Sequence, residues 1–273
     1  MPAAQETASS QAQVAVREAA GRVSRLVRTA RHPSAPALGV WDVTDLAAHL
    51  SHALDAIVAM AQGGGGLLED MARLSHLTEG LVEGEIERDL GALADRIDDS
   101  AARLLSLLQS ADDTSLRTWL VQGVELPVST LACHFLNELV VHGRDIALAE
   151  GMPWPISRSD ATLIVCDFLF PVIGALGRMV VDQEEAAGVR VTYDLRVRGG
   201  CRVVLRFEDG DLSLTPGAPD RPVDCHLSVD PVAFMLVAWG RIDQWRAIAR
   251  AQLFAWGRRP WLGPRLRRML ENP

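Results

Sequence analysis

Between residues 11 and 30 apolar side chains recur every three or four positions, the spacing of a first amphipathic helix. The loop HPSAPALG follows. A second helix opens at WDVTDLAAHLSHALDAIVAMA, with Asp42 as N-cap and Asp45 three residues on, as in a capping box. The run GGGG at 63–66 ends it, because glycine holds helix poorly. A third helix is expected from about Glu83 to Ser110. A fourth, containing CHFLNELVVHGRDIALAEG, is expected to be capped at Ser129 and closed by Gly151. Four long helices with apolar stripes predict an antiparallel bundle. The connections containing GGGG and DDTSLRTWLVQGVELP are longer than minimal, and they are expected to shape a site.

Past GMPWPIS comes one more helix, and then the period changes from helical to alternating. Val189, Val191, Tyr193, Leu195 and Val197 alternate with polar residues, as do Cys201, Val203, Leu205 and Phe207 beyond a Gly-Gly turn. That is a hairpin pattern. EDGD supplies another turn, LSL and CHLSVD further strands, and Asp230-Pro231 the start of a helix. The pattern predicts a two-domain α+β chain: a helical bundle over residues 1–152, and a smaller α+β domain with an antiparallel sheet over 153–273.

Composition narrows the function classes. The 273 residues are 48% hydrophobic and carry a net charge of -8, so a sizeable core is available and general nucleic-acid binding is not expected. No lysine occurs, which removes lysine Schiff bases and lysine-bearing phosphate loops. The amino terminus lacks the pattern of a secretory signal, so a cytoplasmic protein is expected. ATLIVCDFLFPVIGALGRMVV is interrupted by Asp167, Pro171 and Arg178, and is expected to be a buried helix rather than a membrane span. Cysteines 133, 166, 201 and 225 stand singly among apolar residues and are expected to be buried, reduced thiols.

The fourth helix carries the candidate chemistry. Its surface is mostly apolar, yet His134, Glu138 and His142 fall four residues apart on one face. A buried polar line is unfavourable unless each group finds a partner. Glu138 and His142, one turn apart, could ligate a single divalent ion such as zinc, or simply pair with each other. The candidate third ligand is His49, set among Leu46, Leu50 and Leu54 on the second helix. His134 lies two turns from His142, roughly 11 Å along the axis, so it is expected to orient Glu138 or pack rather than share the ion. His52 is either an accessory or an exposed group. His76 and His226 have no constellation around them.

WDVTDLAAHL followed later by NELVVHGRDIALAEG resembles the mycothiol-dependent maleylpyruvate isomerase family, whose bundle is of the DinB-like metal-binding type. Position by position, the resemblance implies His49, Glu138 and His142 as metal ligands and Asp145 as a supporting residue. The strands at 189–207 and VAFMLVAWGRIDQW resemble the sterol-carrier-protein-like domain found after this bundle, which implies that Arg241 holds a substrate carboxylate. The alternative for Arg241 is an interaction with its own helix terminus. Many relatives have arginine before the ligand glutamate, where this chain has Asn137, so the substrate is expected to differ.

The resemblance implies a small-molecule substrate and two cofactors: a divalent metal, zinc first, and mycothiol or a similar thiol. The thiolate would add to a conjugated double bond, permit rotation and leave, or would transfer to an electrophile. Two other readings stay open: a metal-dependent hydrolase using bound water, and a non-catalytic small-ligand-binding protein.

Overall fold

The structure, a computed structural model, describes residues 2–271 and divides into two compact units after Ile156. In the first unit, helices α1 (Pro2–Arg28) and α2 (Val43–Ala61) each lie against both α4 (Leu90–Ser110) and α5 (Val128–Ala149). This is the expected four-helix bundle. Two short strands, β1 (Pro36–Leu38) and β2 (Trp41–Asp42), form a small hairpin ahead of α2. The Asp42 carboxylate accepts from Asp45 N at 2.9 Å while the Asp45 carboxylate accepts from Asp42 N at 3.3 Å, which is the predicted capping box. Leu46, Leu50, Leu54 and Ile57 fill the bundle from α2, and Phe135, Leu136 and Leu139 fill it from α5.

Three boundaries differ from the sequence reading: α1 begins at Pro2 rather than near residue 11, and the starts of α4 and α5 also differ. The helix expected from about Glu83 begins only at Leu90, as α4, and a separate helix α3 (Leu74–Glu83) ends where it was expected to start. Between them the Glu85 and Glu87 carboxylates accept from the backbone of Glu87 and Asp89 at 2.8 and 2.9 Å, so local side-chain bonds replace helical ones. The Asp89 side chain then caps α4 through Ala92 N. At α5 the expected Ser129 cap is not used. Strands β3 (Leu116–Thr118) and β4 (Glu125–Pro127) pair, and this brings Ser115 O and Asp113 O to the amides of Val128 and Ser129. Carbonyls of the preceding loop thus satisfy N–H groups that a side chain would otherwise cap. The helix ends as expected, with Gly151 at φ +67° and Met152 N bonded to Ala147 O at 2.7 Å.

The second unit opens with a helical run, α6 (Arg158–Leu163), a π-helical turn (Ile164–Leu169) and α7 (Phe170–Leu176). Arg158–Val180 is long and apolar enough to cross a bilayer by length and composition. Within its own unit α6 lies against α8 (Pro231–Ala238) and α7 against β7 (Asp211–Pro216). The five-stranded sheet has the order β7-β6-β5-β8-β9, with β5 (Arg190–Val197), β6 (Arg202–Glu208), β8 (Cys225–Val229) and β9 (Leu253–Trp256). Its pairings are antiparallel except β5 with β8, so the sheet is mixed rather than wholly antiparallel. The parallel pair arises because the chain returns from β7 to β8 through a long connection and lays β8 beside β5. Val191, Tyr193, Leu195 and Val197 are buried, as their alternation predicts. The Asp230 side chain caps α8 through Ala233 N, and Pro231 follows in the first turn.

The cysteine expectation holds for two residues and fails for two. Cys133 and Cys225 are buried thiols, and burial pushes Cys225 up to about 11. Cys166 and Cys201 form a disulfide across 35 residues. No sequence spacing announces it. The Gly199–Gly200 turn packs so tightly on the helical run that a side chain at Gly200 would meet Thr162 Cγ2 at 2.6 Å, and this approach delivers Cys201 to Cys166.

Asp194 lies on the other face of β5 from Tyr193 and Leu195, yet it is fully buried. Arg202 reaches it through Nε at 2.6 Å and Nη2 at 2.9 Å, Arg196 through Nη2 at 3.0 Å, and His226 Nδ1 at 2.6 Å. Burial by itself would raise this carboxyl, but these bonds hold it down to about 2. A carboxyl depressed by folding stabilises the native state above its unfolded value of about 4 and loses that contribution as pH falls toward 2. Asp194→Asn is therefore expected to destabilise the protein by roughly 1–3 kcal/mol at pH 7, discounted because both arginines are partly exposed. Urea unfolding of the two proteins at pH 7 and pH 2.5 checks this: the gap should shrink at the lower pH, and a constant gap would refute it.

Candidate metal centre

Three donors converge inside the bundle. His49 comes from α2, Glu138 and His142 from α5, and their potential ligand atoms all lie within 4.8 Å of one another. Glu138 and His142 stand one helical turn apart and meet with Oε2 3.3 Å from Nε2. The His142 ring meets His49 edge to face, with ring centroids 4.9 Å apart. Trp41, in β2 just ahead of α2, lies against the His49 ring at 4.8 Å and covers this candidate donor. The side chains of Glu138 and His142 are each only 12% exposed, which makes this a charged group almost wholly removed from water.

Burial dictates the protonation pattern. Desolvation, with the neighbouring His142 charge, pulls His49 down to about 3 and leaves it a neutral donor. Burial opposes charge on His142 as well, but Asp145 and Glu138 overcome it and raise this imidazole to about 9. Burial would likewise raise Glu138, but hydrogen bonding from His134 and His142 holds it well below the usual carboxylate range. Asp145 Oδ2 lies 3.5 Å from His142 Nδ1, a nitrogen that makes no well-formed hydrogen bond.

The donor set suits a divalent ion. Two imidazoles and a carboxylate match zinc, whose bonds of about 2.1 Å place donors roughly 3.4 Å apart. The Glu138–His142 pair is already at 3.3 Å, and small rotations of His49 would gather the rest.

The remaining histidines sort themselves by contact. His134 Nδ1 accepts the Trp119 indole N–H at 3.3 Å, and its Nε2 lies 3.6 Å from Glu138 Oε1. It stands behind the carboxylate, outside the converging set. His52 Nε2 sits 3.1 Å from Glu85, a buried carboxylate also held by Arg96 at 2.6 Å. Asn137 donates to Glu138 Oε1 at 3.2 Å. His226 does have a constellation, contrary to the sequence reading: Asp194 on one side and Trp256 stacked at 5.2 Å on the other. Strand pairing between β5 and β8 creates it, which single-strand alternation does not reveal. Arg241 belongs to the second unit, where its Nη1 donates to Trp239 O at the end of α8 at 2.8 Å. Trp119 and Glu85 carried no chemical signal in the sequence, because both lie outside the main helices.

Residues 13–147 match the family described as the mycothiol maleylpyruvate isomerase N-terminal domain. No curated protein matches the sequence. Among solved structures, the chain is similar to a mycothiol-dependent maleylpyruvate isomerase at 14% identity, covering 90% of this chain and 92% of that one, with a TM-score of 0.51. A histidine-to-alanine mutant of such an isomerase gives 14% identity, the same coverage and a TM-score of 0.50. At this identity the likeness establishes the fold.

Metal titration tests the centre. His49→Ala, Glu138→Ala and His142→Ala are each expected to weaken zinc binding at least about 100-fold while keeping the helical circular dichroism. Zinc must displace the proton that His142 holds up to about 9. Apparent affinity should thus rise about tenfold per pH unit from 7 toward 9 and then level off. Affinity that is flat with pH, or unchanged in all three variants, would rule the assignment out.

Proposed function

We propose that this chain, whose first unit carries a mycothiol maleylpyruvate isomerase N-terminal domain, is a divalent-metal enzyme that activates a low-molecular-weight thiol against a small electrophile. The observation that supports this reading is the buried His49, Glu138 and His142 set, three ligands from two helices of the bundle. Zinc, the ion this donor set favours, would leave positions open for a thiol and stabilise its thiolate form. A thiol such as mycothiol is the nucleophile; no protein cysteine is required.

The chain's own residues then have defined tasks. His49, neutral at working pH, offers its lone pair without giving up a proton. Glu138 supplies the single formal negative charge of the triad, and the apolar side chains of α2 and α5 keep water away from it. Asp145 takes up the Nδ1 side of His142 and raises the basicity of its other nitrogen. With an unsaturated acid, thiolate sulfur adds to one alkene carbon and the electron pair moves into the conjugated carbonyl. The resulting single bond rotates, and sulfur leaves as the double bond re-forms. With an alkylating or acylating substrate the sulfur displaces the leaving group instead and keeps the transferred group. Asn137, where the resembled family often has arginine, would favour a substrate other than maleylpyruvate.

The experiment is zinc analysis of the purified protein, followed by turnover of a small panel of conjugated acids and alkylating agents with and without added thiol. Turnover is expected only with both zinc and thiol. Zinc-dependent turnover that ignores thiol would replace this reading with a hydrolase. Binding of apolar ligands that survives loss of the triad would replace it with a carrier.

A further inference from the structure

The two long connections of the first unit meet each other, and their meeting point is Trp119. Gly66 N donates to Trp119 O at 2.6 Å, Leu68 N donates to Leu120 O at 2.9 Å, and Trp119 N donates to Val124 O at 2.7 Å. Gly65 permits this contact, because a Cβ there would sit 1.8 Å from Thr118 O. The backbone of Trp119 is therefore held from both sides, and its side chain is only 3% exposed. Its indole N–H has one direction to point, and His134 Nδ1 lies there at 3.3 Å.

An indole nitrogen can only donate, so the atom facing it must be an unprotonated imidazole nitrogen. The His134 proton is then on Nε2, the nitrogen that lies 3.6 Å from Glu138 Oε1. Asn137 Nδ2 faces the same oxygen at 3.2 Å. The other oxygen, Oε2, is the one beside His142. The carboxylate is thus divided: donors from the protein gather at Oε1, and Oε2 is turned toward the converging ligands.

We propose that Trp119 is a positioning residue of the metal centre. By fixing the tautomer of His134 it makes that histidine a donor to Glu138 Oε1 and bars it from ligating, so that Glu138 presents Oε2 to the ion. The inference rests on the metal reading of His49, Glu138 and His142. Its physical basis is general: a hydrogen bond to one side of a ligand restricts its rotation and tunes its donor strength. The glycine run and the Trp119 loop, long for mere connections, acquire a purpose in building this support.

The test is a zinc-affinity cycle on the full chain. Wild type comes first; absence of zinc binding there refutes the metal reading itself, whatever Trp119 does. Given binding, Trp119→Phe, which keeps a ring and removes the N–H, should weaken zinc about tenfold, as should His134→Ala. The double variant should be no weaker than His134→Ala alone, because Trp119 acts only through that imidazole. Additive losses would mean that Trp119 merely fills space, and unchanged affinity in Trp119→Phe would equally overturn the proposal. Nitrogen-15 spectra of ring-labelled wild type give a readout independent of folding in the variants. His134 should be protonated on Nε2 with and without zinc; a proton on Nδ1 would sink the idea.

Discussion

A carboxylate buried in an apolar helix bundle is the constraint on which the first unit is organised. Glu138 could not stay ionised among Phe135, Leu139 and Val141 without compensation, since an isolated buried charge is opposed by several kcal/mol of lost hydration. The chain surrounds it with imidazoles rather than with arginine or lysine. An imidazole can hand its proton away and still stay, so the same groups that neutralise the carboxylate when protonated can bind a cation when they are not. The ion pair of Glu138 with His142 and the proposed metal site would thus be two states of one arrangement, selected by pH and by metal.

That arrangement needs support from outside the ligand helices. His49 keeps its place through Trp41, and the capping box at Asp42 and Asp45 fixes where α2 begins and hence which face His49 takes. Glu85, from the segment between α3 and α4, faces His52 with an oxygen 3.1 Å from its Nε2. Trp119 faces one nitrogen of His134 with its indole N–H. Each of these contacts engages a side chain outside the converging set, and three converging donors would leave open positions on a bound ion.

The second unit follows a different rule. Its sheet buries apolar residues on one face, while the other is knitted by charge around Asp194. The Cys166–Cys201 disulfide ties the hairpin turn to the helical run that precedes the sheet. The disulfide and the Asp194–His226 contact both join segments more than thirty residues apart in sequence.

The sequence by itself determined the helices of the bundle, the hairpin alternation, the capping box, the end of α5 at Gly151 and the relation of Glu138 to His142. These follow from periodicity and from cap chemistry, which act within a few residues. His49 was also legible, because a histidine among Leu46, Leu50 and Leu54 is unusual on a core-facing stripe. Only the tertiary structure decided the rest. The helix boundary at Asp89 depends on carboxylates that bond locally. The α5 start depends on carbonyls from another loop, and the parallel β5–β8 pair on the path of a long connection. The disulfide depends on a glycine turn meeting a helix, and the Trp119–His134 contact on two loops meeting each other. Each of these is a short-range force acting between residues that the chain must first fold to bring together, so no local pattern in the sequence records it.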